Sequence, residues 1–160
     1  MRRRLAPLAL ALAFLAAGCQ QQGGVRPGPA GLEDVVVLTR QAEEAYASED
    51  WAAAEKAYRR LTEAVPQNAE NWFRLGNALA RLGRHQEAIA RYREALVREP
   101  GHARAWHNLG MTQLRVATST FVEMQEYTAP DDPVTERARR IVRAIENVLG
   151  SETGSGDEQP

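Results

Sequence analysis

Apolar side chains between residues 32 and 149 recur with the spacing of helical faces, not with the alternation of strands. Ala, Leu, Arg and Glu, which favour helices, dominate this stretch. Asp50 precedes Trp51 as a good helix N-cap, and Gly83 lies where the left-handed residue after a helix is expected. The pattern therefore predicts an all-α chain of short helices.

The same residue types recur at a fixed separation along the sequence, and we call this separation the repeat period. It equals the number of residues from Ala54 to Ala88. The other aligned pairs are Tyr58 with Tyr92, Pro66 with Pro100, Trp72 with Trp106, Leu75 with Leu109, and Gly76 with Gly110. A fixed period of this length indicates a solenoid, in which stacked units cover one another's apolar faces. The predicted units are 35–68 and 69–102, with a degenerate third unit from residue 103.

The third unit loses the pattern after its first half. Apolar positions from Trp106 to Tyr127 stay on one helical face, which predicts a single helix over 103–127, about 37 Å long. The alternative is a break at Thr118–Thr120, because Thr120 and Glu123 have the spacing of a capping box.

A last helix is predicted to cap the solenoid over 133–149. Asp132 followed by Pro133 is a good helix start. One face of this helix is apolar and the opposite face is rich in arginine, as a terminal element requires. Its apolar face consists of Ala138, Ile141, Val142, Ile145, Val148 and Leu149.

These repeats resemble the tetratricopeptide repeat (TPR). In the unit 69–102 the eight signature positions hold Trp72, Leu75, Gly76, Leu79, Ala88, Tyr92, Ala95 and Pro100. The first unit keeps Ala54, Tyr58 and Pro66, and the third keeps Trp106, Leu109 and Gly110. The resemblance implies a short α-solenoid of antiparallel helix pairs that binds proteins and performs no catalysis.

The resemblance also implies a concave groove, lined by the first helix of each repeat, for a peptide or protein partner. By position the binding residues are Thr39, Arg40, Glu43, Glu70, Phe73, Arg74, Asn77, Arg81, Arg104, His107, Asn108 and Met111. Phe73 and Met111 are interpreted as large apolar groups off the packing stripe, which favours an interaction surface. The alternative is a solvated groove, with the partner on the convex face or on the helix 103–127.

The first residues are predicted to form a signal peptide. Three arginines precede the apolar run from Leu5 to Ala17, which is short for a membrane span and ends in small residues. A transmembrane anchor is the alternative. The stretch ending in Cys19 resembles the lipobox of bacterial lipoproteins, which implies removal of residues 1–18 and lipidation of Cys19. Gln20 implies sorting to the outer membrane, with the domain in the periplasm.

Both flanks of the helical part are polar. Residues 19–31 are rich in Gly and Pro, which predicts a flexible tether, and residues 150–160 are predicted to be a disordered tail. Removal of three arginines with the signal peptide leaves 17 basic and 21 acidic residues, a net charge of −4. That balance argues against nucleic-acid binding, which needs a basic face.

Candidate catalytic and metal sites are weak. The chain has no Gly-rich phosphate loop and no His-Glu-x-x-His motif. His102 and His107 are five residues apart and fall on different helical faces, so we expect neither a metal nor a cofactor. The sequence predicts a membrane-anchored scaffold that helps to assemble or localise a cell-envelope complex. The alternative is a structural lipoprotein that self-associates through its C-terminal helix pair.

Overall fold

The computed structural model describes residues 31–153, and this range contains six α-helices. They are α1 (Leu32–Ala47), α2 (Trp51–Ala64), α3 (Ala69–Arg81), α4 (His85–Arg98), α5 (Ala103–Tyr127) and α6 (Pro133–Thr153). The predicted signal peptide, the lipidated Cys19, the tether up to residue 30 and the tail from residue 154 lie outside the described residues.

Side chains just before the helices fix where they begin. The Asp50 carboxylate accepts the Ala53 N–H at 3.0 Å, as predicted for the N-cap of α2. Asn68 does the same for α3, and Asp132 accepts two backbone N–H groups at the start of α6. Each cap satisfies donors that the first helical turn leaves unpaired.

The two tight turns inside the repeats use a left-handed residue at equivalent positions. Gly83 has φ +74°, as predicted, and Glu49, one repeat period earlier, has φ +58°. Ala117 occupies the same position in the third unit, but there the chain stays helical. The third unit therefore makes no turn, and α5 continues straight.

The core is built from the faces that the repeat period marks. Leu75, Leu79 and Ala88 are almost fully buried between α3 and α4. Gly76 is small because the ring of Tyr92 lies directly on its backbone. The pairs α1–α2 and α3–α4 stack in sequence, which confirms the predicted TPR-type solenoid.

Helix α5 is unbroken over 25 residues, with the predicted bounds. The break proposed at Thr118–Thr120 is wrong. The hydroxyls of Thr118 and Thr120 donate to the carbonyls of Leu114 and Val116, four residues earlier, instead of capping a new helix. This bonding within the helix lets both threonines remain in its interior.

Helix α6 packs on α5 and reaches further than predicted. It continues through Thr153, so residues 150–153 of the predicted tail are helical. Ala138 and Val142 are buried, but Ile141 and Val148 of the predicted apolar face are exposed. Because α5 offers α6 only one helical surface, part of that face stays in contact with solvent. Within residues 31–153, no helix is both long and apolar enough to cross a membrane.

Candidate binding groove

The first helices of the three units, α1, α3 and α5, line two neighbouring hollows, which we call the groove. The first hollow lies between α1 and α3 and has a volume of about 400 Å³. The second lies between α3 and α5 and has a volume of about 470 Å³. Tyr46 lines both, so the two hollows adjoin along the solenoid.

An ion pair dominates the first hollow. The Arg74 guanidinium donates to the Glu70 carboxylate at 2.7 Å and lies over the ring of Tyr46, 4.6 Å from its centroid. Thr39 and Glu43 line the opposite wall. Because Arg74 is already paired, the first hollow offers little net positive charge to an anion.

Glu70 also joins α3 to the third unit. Arg104 donates to its carboxylate at 3.1 Å, and His102 Nε2 lies 3.3 Å from the same oxygen. Partial burial disfavours the charged carboxylate, but the hydrogen bond from Arg74 and the charge of Arg104 outweigh this and lower the pKa of Glu70. Glu70 therefore acts mainly as a structural link between repeats.

Asn77 is the centre of a hydrogen-bond network on the floor of the second hollow. Its amide donates to the Tyr46 hydroxyl at 2.9 Å. Its carbonyl oxygen accepts the Tyr92 hydroxyl at 3.0 Å and the Asn108 amide at 2.8 Å. The network connects α1, α3, α4 and α5, and it holds two predicted binding residues, Asn77 and Asn108, in fixed positions.

Burial changes the acidity of two tyrosines that line the groove, Tyr92 in the second hollow and Tyr58 in the first. Burial raises the pKa of Tyr92 to about 12, against hydrogen bonds with Thr112 and Asn108 that favour the phenolate. Burial likewise raises the pKa of Tyr58, although the charge of Arg74 opposes it. Both hydroxyls are therefore neutral hydrogen-bonding groups, not catalytic bases.

The rim of the second hollow carries the groups that remain accessible. Arg81 lies over the ring of Trp51 at 4.6 Å and pairs with Glu49 at 3.4 Å. Arg115 is exposed on α5 and forms no ion pair with residues 31–153. Met111 is partly exposed beside it. The rim therefore combines an apolar surface with an available positive charge.

The structure contradicts one predicted groove residue. Phe73 is only 3% exposed, and its ring packs against those of His102, at 4.7 Å, and Tyr92, at 6.1 Å. Helix α3 is covered on more than one side, by α4 and by the next unit, so a position off the first packing stripe is still buried. Phe73 belongs to the core and not to the interaction surface.

The other predicted residues divide into two groups. Those that line the hollows are Thr39, Glu43, Glu70, Arg74, Asn77, Arg81, Asn108 and Met111. Arg40, Arg104 and His107 are exposed and line neither hollow. Arg40 approaches Glu44 on its own helix at 3.9 Å, and Arg104 binds Glu70.

Sequence reasoning missed the aromatic side chains of the groove. Tyr46, Trp51 and Tyr92 line the second hollow, and Tyr58 lines the first. Tyr58 and Tyr92 come from the second helices of their repeats and reach between the first helices. Their recurrence one repeat period apart was the available signal, but recurrence alone does not distinguish a packing residue from one that lines a groove.

The groove contains no arrangement typical of catalysis. Its acids and bases are mostly joined in pairs, and the described part of the chain has no group of three His, Cys, Asp or Glu residues that could hold a metal ion. The geometry serves hydrogen bonding and surface contact.

Comparison with known proteins agrees with this geometry. The family described as "Tetratricopeptide repeat" matches residues 39–103 and, in an overlapping match, residues 84–115. The peroxisomal targeting signal receptor of Kluyveromyces lactis is 34% identical over 71 residues, which are 44% of this chain and 12% of that protein. Protein O-mannosyl-transferase TMTC1 of Homo sapiens is 40% identical over 63 residues, which are 39% of this chain and 7% of that protein. The chain thus spans about a tenth of the length of these curated relatives.

A solved structure supports the fold. The TPR2B domain of yeast Sti1, from a structure titled as its complex with pHsp70, aligns with a TM-score of 0.51 at 20% identity. The alignment covers 71% of this chain and 97% of that domain. Residues 39–115 of the chain therefore consist of tetratricopeptide repeats, within a short all-α solenoid.

Proposed function

We propose that this chain is a lipid-anchored binding module that holds a segment of another protein in its groove. TPR domains are generally non-catalytic interaction modules, and the aligned yeast domain is titled as a complex with a protein. The observation that carries the proposal is the second hollow, a cleft of about 470 Å³ whose floor is fixed by the Asn77 network and whose rim stays accessible.

The rim defines the chemistry of the bound segment. Met111 offers an apolar contact, and Arg115 offers a guanidinium that can hold a carboxylate. His85 Nδ1 lines the same hollow, is buried and has no hydrogen-bond partner within residues 31–153. A segment with an apolar side chain next to an acidic one fits this combination.

The groove is tested with two rim substitutions. Arg74, Asn77 and Asn108 are unsuitable, because each belongs to an internal network and its loss would also disturb the fold. We expect Met111→Ala with Arg115→Ala to abolish cross-linking of the full-length chain to its partner in cells. Arg40→Ala, an exposed change outside both hollows, is the matched control. A partner set that is unchanged in the double variant would disprove the groove assignment.

Membrane anchoring is the second part of the proposal. Cys19 follows a short apolar run and small residues, the arrangement of a lipobox. Several acyl chains on one residue give stable anchoring, whereas one chain binds only marginally. We expect the mature protein to be recovered in the outer-membrane fraction, and the mass of its N-terminus to be that of an acylated Cys19. Cys19→Ser should abolish both the acylation and the recovery in this fraction. Recovery of an unmodified Met1 would contradict the anchor. With an anchor, the groove would serve a complex of the cell envelope.

A specific observation also favours self-association through the C-terminal helix pair. Ile141 and Val148 are exposed on the same helix, α6, whose opposite surface is charged. Sedimentation at increasing concentration tests this candidate. A dimer that Ile141→Glu converts to a monomer would support it, and a monomer at all concentrations would exclude it.

A further inference from the structure

One apolar surface of the solenoid corresponds to an interface that is filled elsewhere in the same chain. It lies between α4 and α5, has a volume of about 540 Å³, and we call it the shelf. It is lined by Arg93, Leu96, Val97, Trp106, Leu109 and Gln113. Val97 is 77% exposed and Trp106 is 57% exposed, which is unusual for side chains of this size in a repeat.

The shelf repeats the surface of α3 that α4 covers. Trp106, Leu109 and Gly110 stand one repeat period after Trp72, Leu75 and Gly76. In the second unit the Tyr92 ring lies on Gly76, whereas a methyl group built at Gly110 meets no atom of residues 31–153 within 4 Å outside its own stretch of helix. In the third unit, therefore, no described side chain occupies the position that corresponds to the Tyr92 ring.

The tryptophans show the same difference. Each indole N–H donates to a proline carbonyl, Trp72 to Pro66 and Trp106 to Pro100, both at 2.9 Å. In the second unit Arg98 lies over the Trp72 ring at 4.4 Å, and its guanidinium also donates to the Pro66 carbonyl. Within the described residues, no cation lies over Trp106.

In the third unit the shelf lacks a covering helix equivalent to α4, and the sequence of this unit cannot supply one. At the same offset, Val122 would replace Ala88 and Glu126 would replace Tyr92. A glutamate in place of the tyrosine would bury a charge in an apolar hollow, which is costly. Instead α5 continues without a turn, and α6 contacts its C-terminal end, where Arg139 donates to Gln125 and Thr135 donates to Thr128. Residues 154–160, GSGDEQP, contain no aromatic side chain.

We propose that the shelf is a docking site for an amphipathic helix of a partner protein. The α3–α4 interface specifies the occupant: a small residue at position i, an arginine at i+3, an aromatic residue at i+4, a small residue at i+7 and an arginine at i+10. These are the spacings of Ala88, Arg91, Tyr92, Ala95 and Arg98 in α4. The two arginines would lie over Trp106 as their counterparts lie over Trp72.

This surface is separate from the groove. At 100° per residue, Met111 and Arg115 point to the side of α5 opposite Trp106 and Gln113. The proposal therefore does not depend on what the groove binds, and variants can separate the two sites.

The probe is a labelled peptide with the sequence of residues 84–99, RHQEAIARYREALVRE, titrated with the full chain. We expect saturable binding by fluorescence anisotropy. Gly110→Leu places a bulky side chain where the added Cβ alone meets no described atom, and it should weaken binding by roughly tenfold to a hundredfold. Ala52→Leu, an equivalent enlargement at an exposed position of α2, should leave binding unchanged.

A second measurement covers the case in which the short peptide does not fold as a helix alone. The same helix is fused after Pro160 through a Gly/Ser linker, which raises its effective concentration to the millimolar range. We expect Trp106 to become protected from acrylamide quenching, and a fused helix with Glu in place of its tyrosine to give no protection. Absence of both binding and protection would overturn the proposal. A concentration-dependent dimer that Trp106→Ala dissociates would also overturn it, since a second copy would then cover the shelf.

Discussion

The ring of Tyr92 lies so close to Gly76 that a methyl group added at this glycine would stand 2.6 Å from the ring carbon Cε1. In the part of the chain that the structure describes, the equivalent glycine of the next repeat, Gly110, has no such neighbour. Replacing the signature glycine by a larger residue should therefore have opposite effects on stability in two successive repeats.

The first prediction concerns these two glycines. Gly76→Ala should lower the free energy of unfolding by about 1–3 kcal/mol, because a buried ring must move. Gly110→Ala should raise it by about 0.5–1 kcal/mol, because alanine favours the helix and the space is open. Urea denaturation of both variants checks the pair. In a Tyr92→Leu background Gly76→Ala should cost less than in the parent chain, because the ring is no longer there. Equal effects of Gly76→Ala and Gly110→Ala would contradict the contact.

The second prediction separates core from groove. Phe73→Ala should lower the free energy of unfolding by about 3–5 kcal/mol, because it removes a buried ring. Met111→Ala, on the accessible rim, should lower it by less than about 1 kcal/mol. Thermal and urea unfolding measure both. A small change in the free energy of unfolding of Phe73→Ala would indicate that this residue belongs to the interaction surface and not to the core.

The third prediction concerns stability in alkali. Burial raises the pKa of Tyr92 to about 12, so between pH 10 and 12 the folded chain keeps a proton that the unfolded chain loses. Stability should therefore fall over this window, by roughly 2–3 kcal/mol for this group. Tyr92→Phe should flatten the slope, at a cost of about 1 kcal/mol at pH 7 from the lost bond to Asn77.

The control for this experiment is Tyr127→Phe, since Tyr127 is 80% exposed. Urea midpoints at pH 8, 10 and 11.5 should show the same slope for this variant as for the parent chain. An unchanged slope in Tyr92→Phe would contradict the role of Tyr92.

The fourth prediction concerns acid. Arg74 and Arg104 lower the pKa of Glu70 despite the opposing effect of its partial burial. The stabilisation is therefore present above the ordinary pKa of a glutamate and is lost as the pH falls through the lowered value. At pH 7 Glu70→Gln should cost about 0.5–1 kcal/mol, a small value because the pair is partly exposed to water.

The difference between Glu70→Gln and the parent chain should shrink between pH 5 and pH 3 in urea unfolding. Glu63→Gln, an exposed change on α2, should show no such pH dependence. A constant difference at all pH values would show that the charge of Glu70 is not involved.

The fold followed from the sequence because one signal was repeated. The repeat period predicted the stacked helix pairs, and Asp50, Gly83 and Asp132 predicted their starts and turns correctly. The straight course of α5 also followed from the loss of the pattern in the third unit. The extension of α6 to Thr153 did not, because no local stop signal distinguishes the residues after Leu149.

The groove was only partly predictable. Position in the repeat pointed to Asn77, Asn108 and Met111, and all three line the second hollow. It failed for Phe73, since burial there depends on the next repeat and not on the local stripe. The contact of Arg104 with Glu70 joins residues that are a full repeat period apart, and a local pattern contains no information about such contacts.

The Asn77 network has a thermodynamic consequence for any guest. An asparagine amide offers two donor and two acceptor sites, and three of these four are already saturated by Tyr46, Tyr92 and Asn108. A ligand that binds at the floor of the second hollow must therefore largely replace existing hydrogen bonds of Asn77 and can add few new ones. Its enthalpy should then be modest, and complex formation should be recognisable by a negative heat-capacity change from the apolar area that is dehydrated.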